Sequence, residues 1–295
     1  MSKKSPLRRL SEYALLTSMR PPLLPALLQQ RFDRDPIELR GKRILLTGAS
    51  SGIGEAAAEQ LARRGATIIA VARRRELLDT LVARITDAGG TAHAHTCDLS
   101  DLEAIDALAG TVEAEFGGVD ILINNAGRSI RRPLTESLER WHDIERTIAL
   151  NYYGPLRLVR GLAPGMLDRG DGHIINVTTW GVKTESPPLF GAYNASKAAL
   201  SSVSRIIETE WGDRGVHSTT LYYPLVKTPM IAPTRAFDGW PGLSAEEAAG
   251  WMVTAARHRP ISIAPRIAVT AHAVNSIAPA AVDVFMKRQR VQPGS

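Results

Sequence analysis

The sequence predicts an α/β protein built on a doubly wound parallel sheet. Three observations carry that expectation. From Gly41 onward, short apolar runs alternate with helical patterns of ten or more residues. The first run, Ile44-Leu45-Leu46, opens through a glycine-rich turn into the helical pattern Glu55 to Ala62. No internal repeat or low-complexity linker breaks the alternation. Strands that alternate with helices form a parallel sheet covered on both faces, and ligands lie at the carboxyl ends of its strands.

The chain has 295 residues, enough for one domain of about 250 residues with extensions at both ends. We divide it into a basic and apolar N-terminal extension over 1–40, a core over 41–263 and a helical C-terminal tail over 264–295. Strands are expected at 43–47, 67–72, 91–96, 119–124, 172–178 and 217–223, with a last one near 261–264. The second helix is expected to begin near Arg74. The third is expected at Ser100-Asp101-Leu102-Glu103, where the spacing of Ser100 and Glu103 is that of a capping box.

In the extension, Lys3, Lys4, Arg8 and Arg9 precede Leu10, Tyr13, Leu15, Leu16 and Met19. A basic start before leucines is how a signal peptide begins. Arg20, Pro21, Pro22 and Pro25 interrupt the apolar part, however, and no small-residue cleavage site follows. Two readings stay open: an extra helix packed on the domain or on a neighbouring subunit, and a peripheral membrane segment. The tail from Ala264 to Met286 carries few charges before Lys287, Arg288 and Arg290. It too suits either a lipid surface or a partner subunit.

The turn after the first strand reads Thr47-Gly48-Ala49-Ser50-Ser51-Gly52-Ile53-Gly54. Between a strand and a helix, glycines at this spacing point to dinucleotide binding. Gly48 allows the tight turn, Gly52 lets backbone approach a pyrophosphate, and Gly54 lets helix and strand pack closely. The turn amides, with Ser50, Ser51 and Ile53 among them, would meet the phosphates at the helix N-terminus. The second strand ends at Ala72 without an acidic residue, and Arg73-Arg74-Arg75 follows. A carboxylate there would accept from a ribose 2′-hydroxyl, whereas an arginine fork pairs with a 2′-phosphate. NADP(H) is therefore the expected cofactor, with Arg73 and Arg74 as contacts and Ser51 within reach of the extra phosphate.

Tyr193-Asn194-Ala195-Ser196-Lys197 places a phenol and an ammonium four residues apart, on one face of a helix. A positive charge beside a tyrosine favours the phenolate, and a tyrosine so tuned can exchange a proton with a carbonyl oxygen. Asn151 falls in the helical stretch Ile148 to Gly154, where its amide competes with backbone hydrogen bonds and suggests a kink.

The glycine turn, then Asn124-Asn125-Ala126-Gly127, then the Tyr193 and Lys197 pair resemble, in this order, the short-chain dehydrogenase/reductase family. The resemblance covers about 41 to 260 and implies a Rossmann fold and hydride transfer to or from a carbonyl. It gives Asp98 and Leu99 a place in the adenine pocket. Asn125, Ala126 and Gly127 would tie strands together and leave room for the cofactor. It makes Asn151 the holder of a water that relays protons to Lys197. Aligned from Asn176, Thr179 takes the place of the family's catalytic serine, one residue further from Tyr193 than usual, with Thr178 as its rival. Thr179 and Tyr193 would then hold the carbonyl oxygen, and Lys197 would lower the tyrosine's pKa and hold the nicotinamide ribose.

The stretch Tyr222 to Thr234 and the run Leu243-Ser244-Ala245-Glu246-Glu247 resemble the reductase domain of bacterial fatty acyl-CoA reductases. In that likeness Pro224, Val226 and Thr228 contact the cofactor, while Met230, Ile231, Phe237 and Trp240 line the lid over the substrate. The implied activity is NADPH-dependent reduction of a long-chain fatty acyl-CoA or fatty aldehyde. Two alternatives stand beside it: oxidoreduction of a ketone or secondary alcohol of steroid or 3-oxoacyl type, and a non-catalytic NADP-binding sensor. Homodimers or homotetramers are expected from the family alone. A net charge of +6 comes from scattered residues without a nucleic-acid motif, so no nucleic acid partner is expected. No metal is expected either. Cys97, the single cysteine, permits no internal disulfide and fits a cytoplasmic protein, with peripheral membrane contact left open.

Overall fold

The structure is a computed structural model, and it describes residues 6–22, 36–231, 237 and 239–288. Lys3, Lys4, the leucine-rich run 23–28, positions 232–234 and Arg290 lie outside the described residues, as do the side chains of Arg8, Arg9, Leu10 and Arg288.

Seven parallel strands form one sheet: β1 (Arg43–Thr47), β2 (Thr67–Ala72), β3 (Thr91–Thr96), β4 (Ile121–Asn124), β5 (Gly172–Thr179), β6 (Val216–Tyr223) and β7 (Ser262–Ile263). Their order across the sheet is β3-β2-β1-β4-β5-β6-β7. The order reverses between β1 and β4, and a doubly wound sheet opens its ligand crevice at such a reversal. β4 and β6 are buried along their whole length, as strands with helices on both faces must be.

The strands connect through α2 (Gly52–Ala62), α3 (Arg75–Asp87), α4 (Leu102–Phe116), α5 (Leu134–Glu139), α6 (Trp141–Ile148), α7 (Gly154–Arg169), α8 (Gly181–Thr184), α9 (Gly191–Trp211) and α10 (Ala245–His258). One face of the sheet packs on Ala57 and Leu61 of α2, Leu78 and Leu81 of α3 and Met252 of α10. The other packs on Ile105 and Val112 of α4, Leu158 and Met166 of α7 and Ile207 of α9. The inner side of α9 is polar. Ser201 shares a hydrogen bond with the Tyr222 hydroxyl, Ser204 one with Ser218, and the Ser218 amide donates to Glu208 at 2.8 Å. Those bonds fix α9 against β6 and so fix where its first turns stand.

Three details differ from the sequence expectation. The fourth strand begins at Ile121 instead of 119, because Gly117 and Gly118 adopt left-handed turns that delay it. Asp101, not Ser100, caps α4. Its carboxylate accepts from the Glu103 and Ala104 amides at 3.0 and 3.1 Å, while the Ser100 amide is drawn to Asp98. A reciprocal capping box is present instead at Ser244 and Glu247, at the start of α10.

The described helices of both extensions lie on the domain. In α1 (Pro6–Met19), Leu15, Leu16 and Met19 pack against the core. Arg20 pairs with Glu247 at 3.1 Å, and its carbonyl accepts from the Arg266 amide. The tail forms two helices, α11 (Arg266–Ile277) and α12 (Pro279–Arg288), because Pro279 cannot continue the first. Among the described residues no helix is long and apolar enough to cross a membrane.

Candidate active site

The turn after β1 is built for close approach. Gly48 has φ of +67°, and a side chain there would put its Cβ 2.9 Å from the Ala126 backbone. A Cβ on Gly54 would sit 2.2 Å from the Gly48 carbonyl oxygen and 2.7 Å from the Asn125 amide nitrogen. The residues after β4 lock that turn. Thr47 Oγ1 accepts from the Asn125 and Ala126 amides at 2.9 and 3.0 Å, and Asn125 Nδ2 donates to the Thr47 carbonyl at 2.8 Å. Asn124 Nδ2 donates to Asn176 Oδ1 at 2.9 Å, binding β4 to β5.

The arginines after β2 divide. Arg74 donates to Ser50 Oγ at 3.2 Å and Ser51 Oγ at 3.3 Å, which holds its guanidinium against the glycine turn. Arg75 turns away and pairs with Asp79 at 2.8 Å. Arg73 and Arg74 line a cavity of about 1000 Å³ along the carboxyl ends of the strands. Gly48, Ser50, Ser51, Gly52, Ile53 and Gly54 line it too, followed by Asp98, Leu99, Asn125, Ala126 and Gly127. Serines, glycine amides and two cations with no carboxylate beside β2 suit a phosphorylated dinucleotide.

Further along the same cavity stand Thr179 at the end of β5 and Tyr193 and Lys197 in α9. The two threonines are told apart. Thr178 Oγ1 donates to the Leu221 carbonyl at 3.0 Å inside the sheet, whereas the Thr179 hydroxyl accepts from the Gly181 amide at 3.4 Å and stands near enough to the Tyr193 phenol to pull its pKa down. Burial pushes the Tyr193 phenol up to about 12, against a smaller opposite pull from Thr179. Burial pushes Lys197 down to about 8, and its Nζ donates to the Val177 carbonyl at 2.8 Å. This differs from the expectation that Lys197 draws the phenol toward neutrality. Desolvation dominates at both groups, so at pH 7 the phenol keeps its proton and the lysine its charge.

Asn151 is fully buried and is not among the residues that line the cavity. Its Oδ1 accepts from the Arg128 amide at 2.9 Å, and its Nδ2 donates to the Arg128 carbonyl and to Ser196 Oγ, both at 3.0 Å. The side chain thus joins the segment after β4 to α9, just behind Gly127. A Cβ at Gly127 would meet Asn151 Oδ1 at 3.2 Å and Lys197 Nζ at 3.3 Å. The expected kink is a π-helical turn over Ala149–Tyr153, a distortion frequent at functional sites. Asn151 therefore braces the segment after β4 against α9.

Pro224, Val226, Thr228, Met230, Ile231, Phe237 and Trp240 all line the same cavity. Among the lining residues that sequence reasoning missed are two groups. One is Pro187 to Phe190, where Leu189 holds an uncommon φ of +72° and its carbonyl accepts from the Arg132 amide. The other comes from the terminal helices. The one-turn spacing of Leu15 and Met19 was the available signal for it.

A reversed parallel sheet, a phosphate-suited turn and a threonine–tyrosine pair with a lysine beside it define a dinucleotide-dependent oxidoreductase. The family model described as short chain dehydrogenase matches residues 42–239. A fatty acyl-CoA reductase of Mycobacterium tuberculosis is 67% identical over 292 residues, 99% of this chain and 99% of that protein. A fatty acyl-CoA reductase of Acinetobacter baylyi is 46% identical over 248 residues, 84% of each chain. The crystal structure of a metagenomic short-chain oxidoreductase in complex with NADP is similar with TM-score 0.65 and 32% identity, covering 75% of this chain and 92% of that one. The chain belongs to the short-chain dehydrogenase family.

Proposed function

We propose that this protein is an NADPH-dependent reductase of a long-chain fatty acyl-CoA or fatty aldehyde. The observation that carries the reading is the continuity of one cavity, from Arg73 and Arg74, past Thr179 and Tyr193, to apolar walls. The fatty acyl-CoA reductases of M. tuberculosis and A. baylyi, at 67% and 46% identity, support the acyl substrate. The NADP complex of the metagenomic relative supports the cofactor.

Arg74, with Ser50 and Ser51, would hold the 2′-phosphate, and the glycine turn the pyrophosphate. Asp98 and Leu99 would border the adenine. Lys197, Pro224, Val226 and Thr228 would hold the nicotinamide end. The bound cofactor supplies the hydride. The chain's own part is to hold the carbonyl oxygen between the Thr179 and Tyr193 hydroxyls, which stabilises charge as it grows on that oxygen. Tyr193 then gives the oxygen its proton. A phenol kept protonated by burial suits the direction of reduction. Lys197, charged below about pH 8, stabilises the tyrosinate left behind. The Pro187 to Phe190 loop and the lid residues Met230, Phe237 and Trp240 keep water from the carbonyl.

NADPH consumption with acyl-CoAs, aldehydes and ketones of increasing chain length tests the reading. Turnover that grows with chain length is expected, and Tyr193→Phe lowers kcat by about 10²- to 10⁴-fold with NADPH still bound. Turnover confined to ketones would move the protein to the steroid or 3-oxoacyl type. Tight NADPH binding without turnover of any carbonyl would make it a sensor.

The reading includes a cytoplasmic homo-oligomer in peripheral contact with lipid. The exposed Leu134, Leu138 and Trp141 support a contact between copies, and the exposed Ile277, Val284 and Phe285 support the lipid contact. Sedimentation of the protein alone and with anionic vesicles separates the two.

A further inference from the structure

Part of the cavity wall is accounted for by neither the dinucleotide nor the reacting carbonyl. Leu15 and Met19 of α1, Ile267 of α11 and Phe285 and Met286 of α12 contribute it. All three helices lie outside the matched stretch 42–239. Among the described side chains of these helices, none that is charged or hydrogen-bonding lines the cavity.

Topology fixes which end they close. The first turns of α10 and α11 follow the carboxyl ends of β6 and β7, so both stand over the β6–β7 border of the sheet. Arg20, next to Met19, is tied to both through Glu247 and the Arg266 amide. His272 of α11 meets the Lys183 carbonyl at 3.2 Å, which joins that helix to α8, two residues beyond Thr179. Arg73 and Arg74 follow β2, on the opposite side of β1 and β4. The apolar wall therefore belongs to the substrate end.

We infer that α1 and α12 hold the aliphatic chain of the substrate between them, and that Leu15, Met19, Ile267, Phe285 and Met286 set how long a chain is accepted. The inference rests on the reductase reading and deepens it. A wall without donors or acceptors has nothing with which to orient a hydroxylated substrate. It does reward methylenes: one methylene more or less in such a pocket changes binding by roughly tenfold or more.

The test compares kcat/KM for palmitoyl-CoA and octanoyl-CoA, or the matching aldehydes. Leu15→Trp and Met286→Trp shorten the wall and are expected to lower the palmitoyl-to-octanoyl ratio roughly tenfold or more. Phe285→Ala is measured alongside, because Phe285 is half exposed and its truncation leaves the fold standing if a tryptophan variant does not. It is expected to weaken discrimination in favour of the long chain. Tyr13→Ala, on the exposed side of α1, keeps the wild-type ratio. An unchanged ratio in every folded wall variant overturns the inference. If the wild type reduces no carbonyl, the reductase reading fails, and a fluorescent palmitate analogue decides the wall. Binding weakened by Met286→Trp or Phe285→Ala upholds it, and no binding by the wild type overturns it.

Discussion

The two ends of the cavity are built by different means. The end between β1, β2 and β4 is made of backbone and short polar side chains: the glycine turn, the clamp of Thr47 and Asn125, and Arg74 leaning on Ser50 and Ser51. The end near β6 and β7 is made of apolar side chains from helices far apart in sequence, at 6–19 and 266–288. The first kind of site has a fixed shape that a single added carbon disrupts. The second is a sum of separate packing contacts, and each contact can be changed with a modest effect. One end can therefore stay constant while the other is free to differ between relatives.

The sharpest way to break this contrast is Gly54→Ala. Its new Cβ would lie 2.2 Å from the Gly48 carbonyl oxygen, backbone that cannot move aside. A loss of about 3 kcal/mol, more than 100-fold in NADPH affinity, is expected by fluorescence titration. Affinity within a factor of about three of wild type would show that the turn is not rigid.

Asn151→Ala is next. It leaves the Arg128 amide and carbonyl and the Ser196 hydroxyl short of partners behind the site. A loss of about 2 kcal/mol in stability is expected from denaturant unfolding, with kcat falling more than KM rises. Restored kcat in Asn151→Asp at unchanged stability would point to a direct role in proton transfer instead.

Arg74→Ala removes one cation and leaves Arg73. The NADPH-over-NADH preference is expected to fall by about 1.5 kcal/mol, roughly tenfold. Kinetics with both cofactors read it, and an unchanged preference would give the discrimination to Arg73.

The smallest effect is a pH slope. Lys197 titrates in the folded chain at about 8, below its ordinary 10.5. The unfolded chain therefore binds more protons between those values, and stability rises with pH there. Tyr193, raised from 10.0 to about 12, works against this above pH 10. Cys97, raised from 9.0 to about 11, opposes it from pH 9. The net rise should fall between about pH 8 and 9, at no more than about 1.4 kcal/mol per pH unit, and vanish in Lys197→Met. A slope that survives the substitution would assign it elsewhere.

Much of the cofactor end was legible because its determinants are local. Gly48, Gly52 and Gly54 sit in one turn, and Arg73 and Arg74 follow one strand. The choice of Thr179 over Thr178 could only be a wager from spacing, since strand alternation sends one hydroxyl into the sheet and the register decides which. The direction of the Tyr193 shift was misread. Sequence shows that a charge is four residues away, but not how much water both groups lose. The distal wall could not be read from sequence, because nothing along the chain says that Leu15 and Met286 face one space.

By itself the sequence determined the alternation of strand and helix, the phosphate-binding turn, the leaning toward a phosphorylated dinucleotide and the pairing of phenol with ammonium. These depend on periodicity, glycine spacing and charge within a few residues. Only the tertiary structure decided which threonine stands by the phenol, that Asn151 braces the site from behind, and that helices from both extensions line the same cavity. Those are questions of burial and of contact between distant segments, and the interior takes its polarity and shape from all of its neighbours at once.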